Sequence, residues 1–324
     1  MDTSYKSIAR LVFTLVLILT VSTTAFEQEP KKLTPPPKTI NPVQLAVTVK
    51  DQQGNLVVGL AQDDFEISVD KSLAKILSFQ AEQAPASIGI LFDASRSAGR
   101  VGNNETSKNL QLWRDALAGF MAAGNQSNEY FLLGFNDRPQ LLVDWTSDHQ
   151  KILNRIVSLQ QVGDTAFYDA CYLGIDKAQG GRNRKRALLV LSDGVDTNSR
   201  YSFDELTELV KESEVLVYAI NFPTSRGVGS LSTAGQSTLS EVSTISGGTF
   251  LYNRGEAPVK LKTVEKTFRT LAAELRSQYL ISIEPLVPTS DDNWHKIKVK
   301  VTSSGTSETS RQLTARTRSG YYHR

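Results

Sequence analysis

The sequence predicts an α/β protein whose main body is a mostly parallel β-sheet covered by helices on both faces. Between residues 85 and 276, apolar stretches of strand length alternate with longer stretches of helix length. Two of the short stretches, 88–92 and 187–192, are continuous apolar runs, as expected for strands buried on both sides. Polar residues follow both runs at their carboxyl ends, where open α/β sheets bind their ligands.

The alternation predicts six strands and six helices in this segment. The strands are expected at 88–93, 129–135, 140–143, 186–192, 214–220 and 248–252, and the helices at 107–122, 147–158, 165–179, 203–212, 237–246 and 258–276. The link 136–139 has hairpin length and is too short for a parallel crossover. The strand that starts near Gln140 is therefore expected to be an antiparallel edge strand. The Gly- and Ser-rich stretch 225–236 predicts a surface loop.

Patterns with a period of two, typical of β-strands, flank this segment on both sides. In the N-terminal unit, 43–82, apolar residues alternate with polar or small ones from Val43 to Val49. In the C-terminal unit, 277–324, strands are expected at 279–283, 295–301 and 311–316, with a last short strand at 320–322. We expect the two units to form one small β-sandwich, with the α/β segment inserted between them.

Residues 1–25 have the pattern of a secretory signal peptide. Two basic residues precede an apolar core at 11–21, and small residues follow it up to a cleavage site after Ala25. This core is short for a membrane span, so an uncleaved anchor is only the alternative. Residues 26–42 are rich in Pro and Lys and predict an extended linker. The protein is therefore expected to be secreted or periplasmic, in the cell envelope.

The net charge and the cysteine content limit the kinds of molecule that the protein is expected to bind and the compartment in which it is expected to fold. The formal net charge is +2, from 36 basic and 34 acidic residues, and gives no reason to expect nucleic acid binding. The single cysteine, Cys171, excludes an intrachain disulfide and is expected to be a small core residue. Export without disulfides is typical of a bacterial envelope or secreted protein.

Three separate pieces of the chain carry oxygen side chains suited to one metal ion. Asp93, Ser95 and Ser97 follow the first apolar run, Thr165 stands at the start of a predicted helix, and Asp193 follows the second run. Carboxylates and hydroxyls without His or Cys favour Mg²⁺, with Mn²⁺ or Ca²⁺ as alternatives, and not Zn²⁺. With few carboxylates bound, the ion would accept a further anionic oxygen, and a carboxylate of a partner is the natural last ligand.

These residues resemble the von Willebrand factor type A domain and its metal-ion-dependent adhesion site. That pattern is Asp-x-Ser-x-Ser, a distant Thr and a later Asp, and all five positions match. The resemblance covers about 85–276 and implies a Rossmann-like fold with Mg²⁺-dependent adhesion. The flanks resemble a group of exported bacterial proteins, abundant in acidobacteria, in segments 47–51, 59–66, 275–279 and 318–321. Arg96 departs from the pattern, which commonly has Gly there; this cation would repel Mg²⁺ or pair with the incoming carboxylate.

Two functions follow from these features. The leading hypothesis is an exported binding module in which the metal captures an Asp or Glu side chain of a protein partner. The alternative is a structural or assembly protein of the envelope, in which the metal is absent or only stabilises loops. We expect no enzymatic activity, catalytic residue or small-molecule substrate, because no base or nucleophile accompanies the ligands.

Asp164 is expected to cap the helix that follows it, and Asp169 and Asp196 are expected to be capping or solvated carboxylates.

Overall fold

A computed structural model describes residues 41–81, 83–99, 106–221, 230–251, 261–285, 292–302 and 313–322 of the chain. The predicted signal segment, 1–25, and all but the last two residues of the predicted linker, 26–42, lie outside these ranges. None of the helices within them is both long enough and apolar enough to cross a membrane.

The α/β segment contains a six-stranded sheet. Numbered along the whole chain, its strands are β5 (Ala86–Asp93), β6 (Glu129–Phe135), β7 (Pro139–Thr146), β8 (Lys185–Ser192), β9 (Val215–Asn221) and β10 (Phe250–Leu251). Their order across the sheet is β10-β9-β8-β5-β6-β7. Neighbouring strands are parallel except β6 and β7, which are antiparallel. The six predicted strands and the antiparallel edge strand are therefore confirmed.

Helices cover both faces of this sheet. They are α1 (Arg96–Gly99), α2 (Thr106–Ala123), α3 (His149–Val157), α4 (Phe167–Gln179), α5 (Phe203–Glu212), α6 (Ser230–Ser246) and α7 (Leu261–Arg276). Side chains of α2, α3 and α7 pack in one core with Ile88, Ile90 and Phe92 of β5. Side chains of α4, α5 and α6 pack in a second core that contains Leu91, because successive residues of a strand face opposite sides.

The helix α6 differs from the prediction. The loop expected at 225–236 is wrong for its second half, because the described chain is helical from Ser230 onward. Burial of Leu239 and Val242 in the second core stabilises this helix despite its many Ser and Thr residues. A Cβ atom on Gly235 would lie 2.4 Å from the carbonyl oxygen of Asp193, so the glycine lets α6 approach the end of β8 closely.

The two flanks combine into two four-stranded sheets. Their strands are β1 (Val43–Lys50), β2 (Phe65–Val69), β3 (Ser72–Leu73), β4 (Ile76–Gln80), β11 (Tyr279–Ile283), β12 (Trp294–Val301), β13 (Thr314–Arg316) and β14 (Gly320–Tyr322). One sheet has the order β13-β1-β11-β4 and the other β14-β12-β2-β3. Leu45, Tyr279 and Ile281 of the first sheet share a buried core with Ile67 and Val301 of the second. The expected β-sandwich is therefore present, and each sheet contains strands from both ends of the chain.

A buried acid connects the inserted segment to this sandwich. Glu274, near the end of α7, is 3% exposed and accepts a hydrogen bond from the Thr249 hydroxyl at 2.8 Å. It also forms ion pairs with Lys50 of β1, at 3.0 Å, and with Arg316 of β13. Because one carboxylate satisfies three donors from different elements, α7 is held against the edge of the first sandwich sheet.

Substitution of Tyr279 tests the hydrogen bonds that its hydroxyl forms in the sandwich core. The hydroxyl of this buried residue donates to the carbonyl oxygen of Val57 and accepts from the amide of Leu60, both at 3.1 Å. Tyr279→Phe leaves the Leu60 amide without its partner and should lower the free energy of unfolding by about 1–3 kcal/mol. Urea denaturation measures this loss. Tyr172→Phe, on a half-buried ring of α4, should change the free energy of unfolding by less than about 0.5 kcal/mol. An equal loss of stability in the two variants would contradict the role assigned to the Tyr279 hydroxyl.

Candidate metal centre

Two carboxylates stand at the carboxyl ends of adjacent parallel strands. Asp93 is the last residue of β5, and Asp193 directly follows the end of β8. The two strands pair in register with Phe92 opposite Leu191, so their ends reach the same edge of the sheet. Asp93 is completely buried and Asp193 is 7% exposed. The Ser192 hydroxyl donates to Asp93 Oδ2 at 2.6 Å and fixes one oxygen of this carboxylate.

The two predicted serine ligands connect these carboxylates. The amide of Ser95 donates to Asp93 Oδ1 at 2.9 Å, which closes the turn after β5. The hydroxyl oxygens of Ser95 and Ser97 lie 3.0 Å apart, and the Ser97 side chain also hydrogen-bonds with Asp193. Four of the five predicted ligands therefore form one continuous cluster of oxygen atoms.

Thr165 lies in the loop that precedes α4 and is 4% exposed. Its amide donates to the Thr197 hydroxyl at 3.0 Å, and its carbonyl oxygen accepts from the amides of Thr197 and Asn198 at 2.8 and 3.1 Å. The same loop accepts a hydrogen bond from the Arg96 amide at the Gly163 carbonyl, at 3.2 Å. The loop of Thr165 is thus bonded to both other ligand loops. Among the described residues, however, its side chain forms no hydrogen bond with the other four ligands.

The electrostatics of the cluster are unfavourable for two charged acids. Burial, and next the nearby Asp193, raise the pKa of Asp93 to about 7, against the lowering effect of hydrogen bonds from Ser192 and Ser95. Burial also raises the pKa of Asp193 above its usual value, although the Val195 amide and the Ser97 side chain oppose the shift. Neither acid forms an ion pair within the described part of the chain. Two buried carboxylates without a cationic partner are costly to ionise together.

The donor atoms fit a hard divalent cation. In the ranges that the structure describes, no group of three or more His, Cys, Asp and Glu side chains is placed to hold a metal. This cluster has only two carboxylates, and its remaining donors are hydroxyl oxygens, which suit Mg²⁺, Mn²⁺ or Ca²⁺ rather than Zn²⁺. A bound cation would also supply the positive charge that the two buried acids lack.

Arg96 lies between the two serine ligands in sequence and begins the short helix α1. Its side chain is exposed and forms no ion pair with any described residue. The Arg96 side chain is thus exposed, whereas the amide of the same residue is bonded to the loop of Thr165.

Asp196 has a role that the sequence did not assign to it specifically. The expectation that Asp164 caps α4 is wrong: the helix begins at Phe167, and Ala166 at the N-cap provides no side-chain bond. Instead, Asp196 Oδ1 accepts from the amides of Phe167 and Tyr168 at 2.8 and 3.2 Å. No local sequence signal reveals this cap, because the acid is 29 residues away from the first helical residue.

Asp169, in the first turn of α4, also binds the backbone rather than the ligand cluster. Its Oδ1 atom accepts from the amides of Arg200 and Tyr201 at 2.9 and 3.2 Å, and its Oδ2 atom from the Arg200 side chain at 3.1 Å. Of the two carboxylates expected to be capping or solvated, Asp196 therefore caps a helix, whereas Asp169 binds the backbone before α5 and caps none.

Comparison with known families identifies the segment that carries the cluster. The family model of the von Willebrand factor type A domain matches residues 88–195. Residues 88–195 are a von Willebrand factor type A domain. The match includes all five predicted ligand positions, and the flanking sandwich lies outside it. No curated protein matches the chain.

Several solved structures resemble this one at low sequence identity. The PilB minor pilin from Streptococcus sanguinis is 13% identical over 73% of this chain and 88% of its own, with a TM-score of 0.48. The vWF domain of the type V pili tip protein Mfa5 from Porphyromonas gingivalis is 10% identical over 60% and 95%, with a TM-score of 0.46. An aerotolerance-related membrane protein from Bacteroides fragilis is 14% identical over 59% and 98%, with a TM-score of 0.45.

Removing the charge of Asp93 should change how the metal-free protein responds to pH. The folded pKa of about 7 exceeds the usual 3.8, so between these values the folded state holds a proton that the unfolded chain has lost. Stability should therefore fall as pH rises from about 4 to about 7, by at most about 4 kcal/mol. Asp93→Asn removes the titrating carboxyl, so the stability of this variant should not show the part of the decrease that is due to Asp93.

Thermal unfolding with chelator at pH 5 and pH 8 measures the effect. Asp176→Asn, at an exposed position of α4, is the matched control and should keep the wild-type pH dependence. Identical pH dependence in wild type and Asp93→Asn would contradict the account of the buried pair.

Proposed function

We propose that the von Willebrand factor type A domain binds Mg²⁺ through Asp93, Ser95, Ser97, Thr165 and Asp193, and so captures an acidic side chain of a protein partner. One observation carries the proposal: two buried carboxylates at adjacent strand ends are connected by serine hydroxyls and, among the described residues, form no ion pair. Mn²⁺ and Ca²⁺ have the same preference for oxygen ligands and are the alternative metals.

The composition of the ligand set favours capture of an anion. Asp93 and Asp193 are its only carboxylates, and the three hydroxyl ligands are neutral. A divalent ion bound here would retain affinity for a further anionic oxygen, which an Asp or Glu side chain supplies. Asp93 is oriented by hydrogen bonds to both of its oxygens, from the Ser95 amide and the Ser192 hydroxyl, so it does not need to move when a cation arrives.

Binding, and not catalysis, is the use that the surrounding residues support. Hydrolysis or group transfer beside the metal would need a base or a nucleophile in addition to the ligands. Cys171, the one thiol of the chain, is completely buried, and burial raises the pKa of its thiol above the usual value. The proposal places this binding module outside the cytoplasm, secreted or in the envelope, on the basis of the signal pattern at 1–25.

Arg96 is the observation that favours the alternative, a structural or assembly protein in which the metal is absent or only stabilises loops. Its side chain is exposed, and the residue is adjacent in sequence to both serine ligands. A positive charge there opposes the approach of a cation, although solvent and salt screen exposed charges strongly.

Titration with Mg²⁺ tests the metal site. Calorimetry on the purified protein should show binding heat, and Mg²⁺ at 100 times its dissociation constant should stabilise the fold by about 2.7 kcal/mol. Asp93→Asn should abolish both effects because it removes one of the two charged ligands, whereas Asp176→Asn should retain them. Absence of heat and of a thermal shift in the wild type would favour the structural alternative.

Partner capture is tested with the same variants. Immobilised wild-type protein should retain a partner from envelope extract with Mg²⁺ present and lose it with chelator. Retention that is insensitive both to chelator and to Asp93→Asn would exclude a metal-bridged contact.

Removal of the Arg96 charge separates the two functions. Arg96→Gln should strengthen Mg²⁺ affinity, but by less than about tenfold, because an exposed charge contributes about 1 kcal/mol or less. Lys151→Gln, at an exposed position of α3, controls for the change in net charge and should leave the affinity unaltered. If only the Arg96→Gln variant binds Mg²⁺, the wild-type protein does not use the metal, and the structural alternative gains support.

A further inference from the structure

The segment that follows Asp193 holds the backbone of Thr165 at three points. The Thr197 hydroxyl accepts from the Thr165 amide at 3.0 Å, and the amides of Thr197 and Asn198 donate to the Thr165 carbonyl oxygen at 2.8 and 3.1 Å. Both polar groups of the Thr165 peptide backbone are therefore bonded to the loop that carries another predicted ligand.

Asp196 attaches the same segment to the helix that begins after Thr165. Its Oδ1 atom accepts from the amides of Phe167 and Tyr168, and Ser199 orients the carboxylate through a side-chain bond of 2.5 Å to Oδ1 and a backbone bond of 3.3 Å to Oδ2. A helix is usually capped by the residue directly before it. Here the cap comes from the segment after β8, so the start of α4 cannot shift without breaking bonds to that segment.

The segment after β8 also contacts α6 and the hairpin between β6 and β7. Gly194 has a φ of +76°, a conformation that favours glycine, and a Cβ atom on it would lie 2.4 Å from the carbonyl oxygen of Gly235 in α6. Further along, the Asn198 side chain donates to the carbonyl oxygen of Asp137 in the hairpin between β6 and β7, at 2.7 Å. The loop that carries Asp193 therefore packs closely against α6 and is hydrogen-bonded to the hairpin between β6 and β7.

We propose that Asp196 and Thr197 are positioning residues that lock the loop of Thr165 onto the loop of Asp193, so that these two ligands are held together before a cation binds. This inference rests on the proposed Mg²⁺ site and explains how a ligand from a separate loop contributes to it. Loops that had to be ordered on binding would reduce affinity, and loss of a residue that orients metal ligands typically weakens binding roughly 10- to 100-fold.

Thr197→Val is the decisive variant, because valine keeps the shape of threonine and removes only the acceptor for the Thr165 amide. Two measurements apply to it: amide hydrogen exchange of the metal-free protein by NMR, and Mg²⁺ titration by calorimetry. We expect faster exchange at Thr165 and at least about tenfold weaker Mg²⁺ binding. Thr197→Ser retains the hydroxyl and should restore both values, and Asp196→Ala should accelerate exchange at Phe167 and Tyr168 with a similar loss of affinity.

Ser202→Ala is the matched control on the same stretch of chain. Ser202 caps α5, accepting from the Glu205 amide at 3.3 Å while its own amide donates to the Glu205 side chain at 2.8 Å. Its loss should lower thermal stability to a similar degree and accelerate exchange at Glu205, with Mg²⁺ affinity and exchange at Thr165 unchanged. A metal affinity that fell equally in Ser202→Ala would show that general destabilisation is the cause and overturn the positioning role.

The outcomes separate this inference from the proposed function. If the wild type binds Mg²⁺ and both Thr197→Val and Asp196→Ala bind it equally tightly, the positioning role is overturned and the metal site stands. If the wild type binds no Mg²⁺, the proposed function fails and the positioning role with it. Weaker binding in both variants, with rescue by Thr197→Ser and an unaffected control, supports the inference.

Discussion

The site depends on the burial of two like charges at the ends of adjacent strands. β5 and β8 are central in the sheet, so Asp93 and Asp193 are buried, and the nearby Asp193 raises the cost of ionising Asp93. Such an arrangement is unfavourable for the fold alone, because neutral residues in the same places would avoid the cost. It is tolerated because cores on both faces of the sheet hold β5 and β8 in position, and the proposed cation would offset its cost.

The sheet could be predicted from the sequence because its strands depend on local patterns, and so could the proximity of Asp93, Ser95, Ser97 and Asp193, whereas their binding of a metal stays a prediction. A continuous apolar run is visible in any window of strand length, and the polar residues after it are immediate neighbours in sequence. Bonds between distant segments leave no such pattern. The cap of α4 is an acid 29 residues away from the first helical residue, whereas the sequence indicates a nearer acid, Asp164, which does not cap the helix.

The helix α6 shows how tertiary packing overrides composition. Its Ser, Thr and Gly residues favour a loop when they are considered one at a time, so the sequence predicts a loop for the first part of this helix. The structure buries Leu239 and Val242 from the same stretch and uses Gly235 for close contact with the chain after β8. Gly235, a residue type that favours loops, therefore allows the helix to approach the candidate site.

The sandwich has a consequence for the order of folding. The chain leaves it after β4 and returns at β11, and these strands are neighbours, with Gln80 paired to Leu280. In an unfolded chain this pair would have to close a loop of about 200 residues, at an entropic cost of about 5 kcal/mol. A folded α/β domain brings the two points together and removes most of that cost, so formation of the sheet in the sandwich is coupled to prior folding of the domain inserted into it.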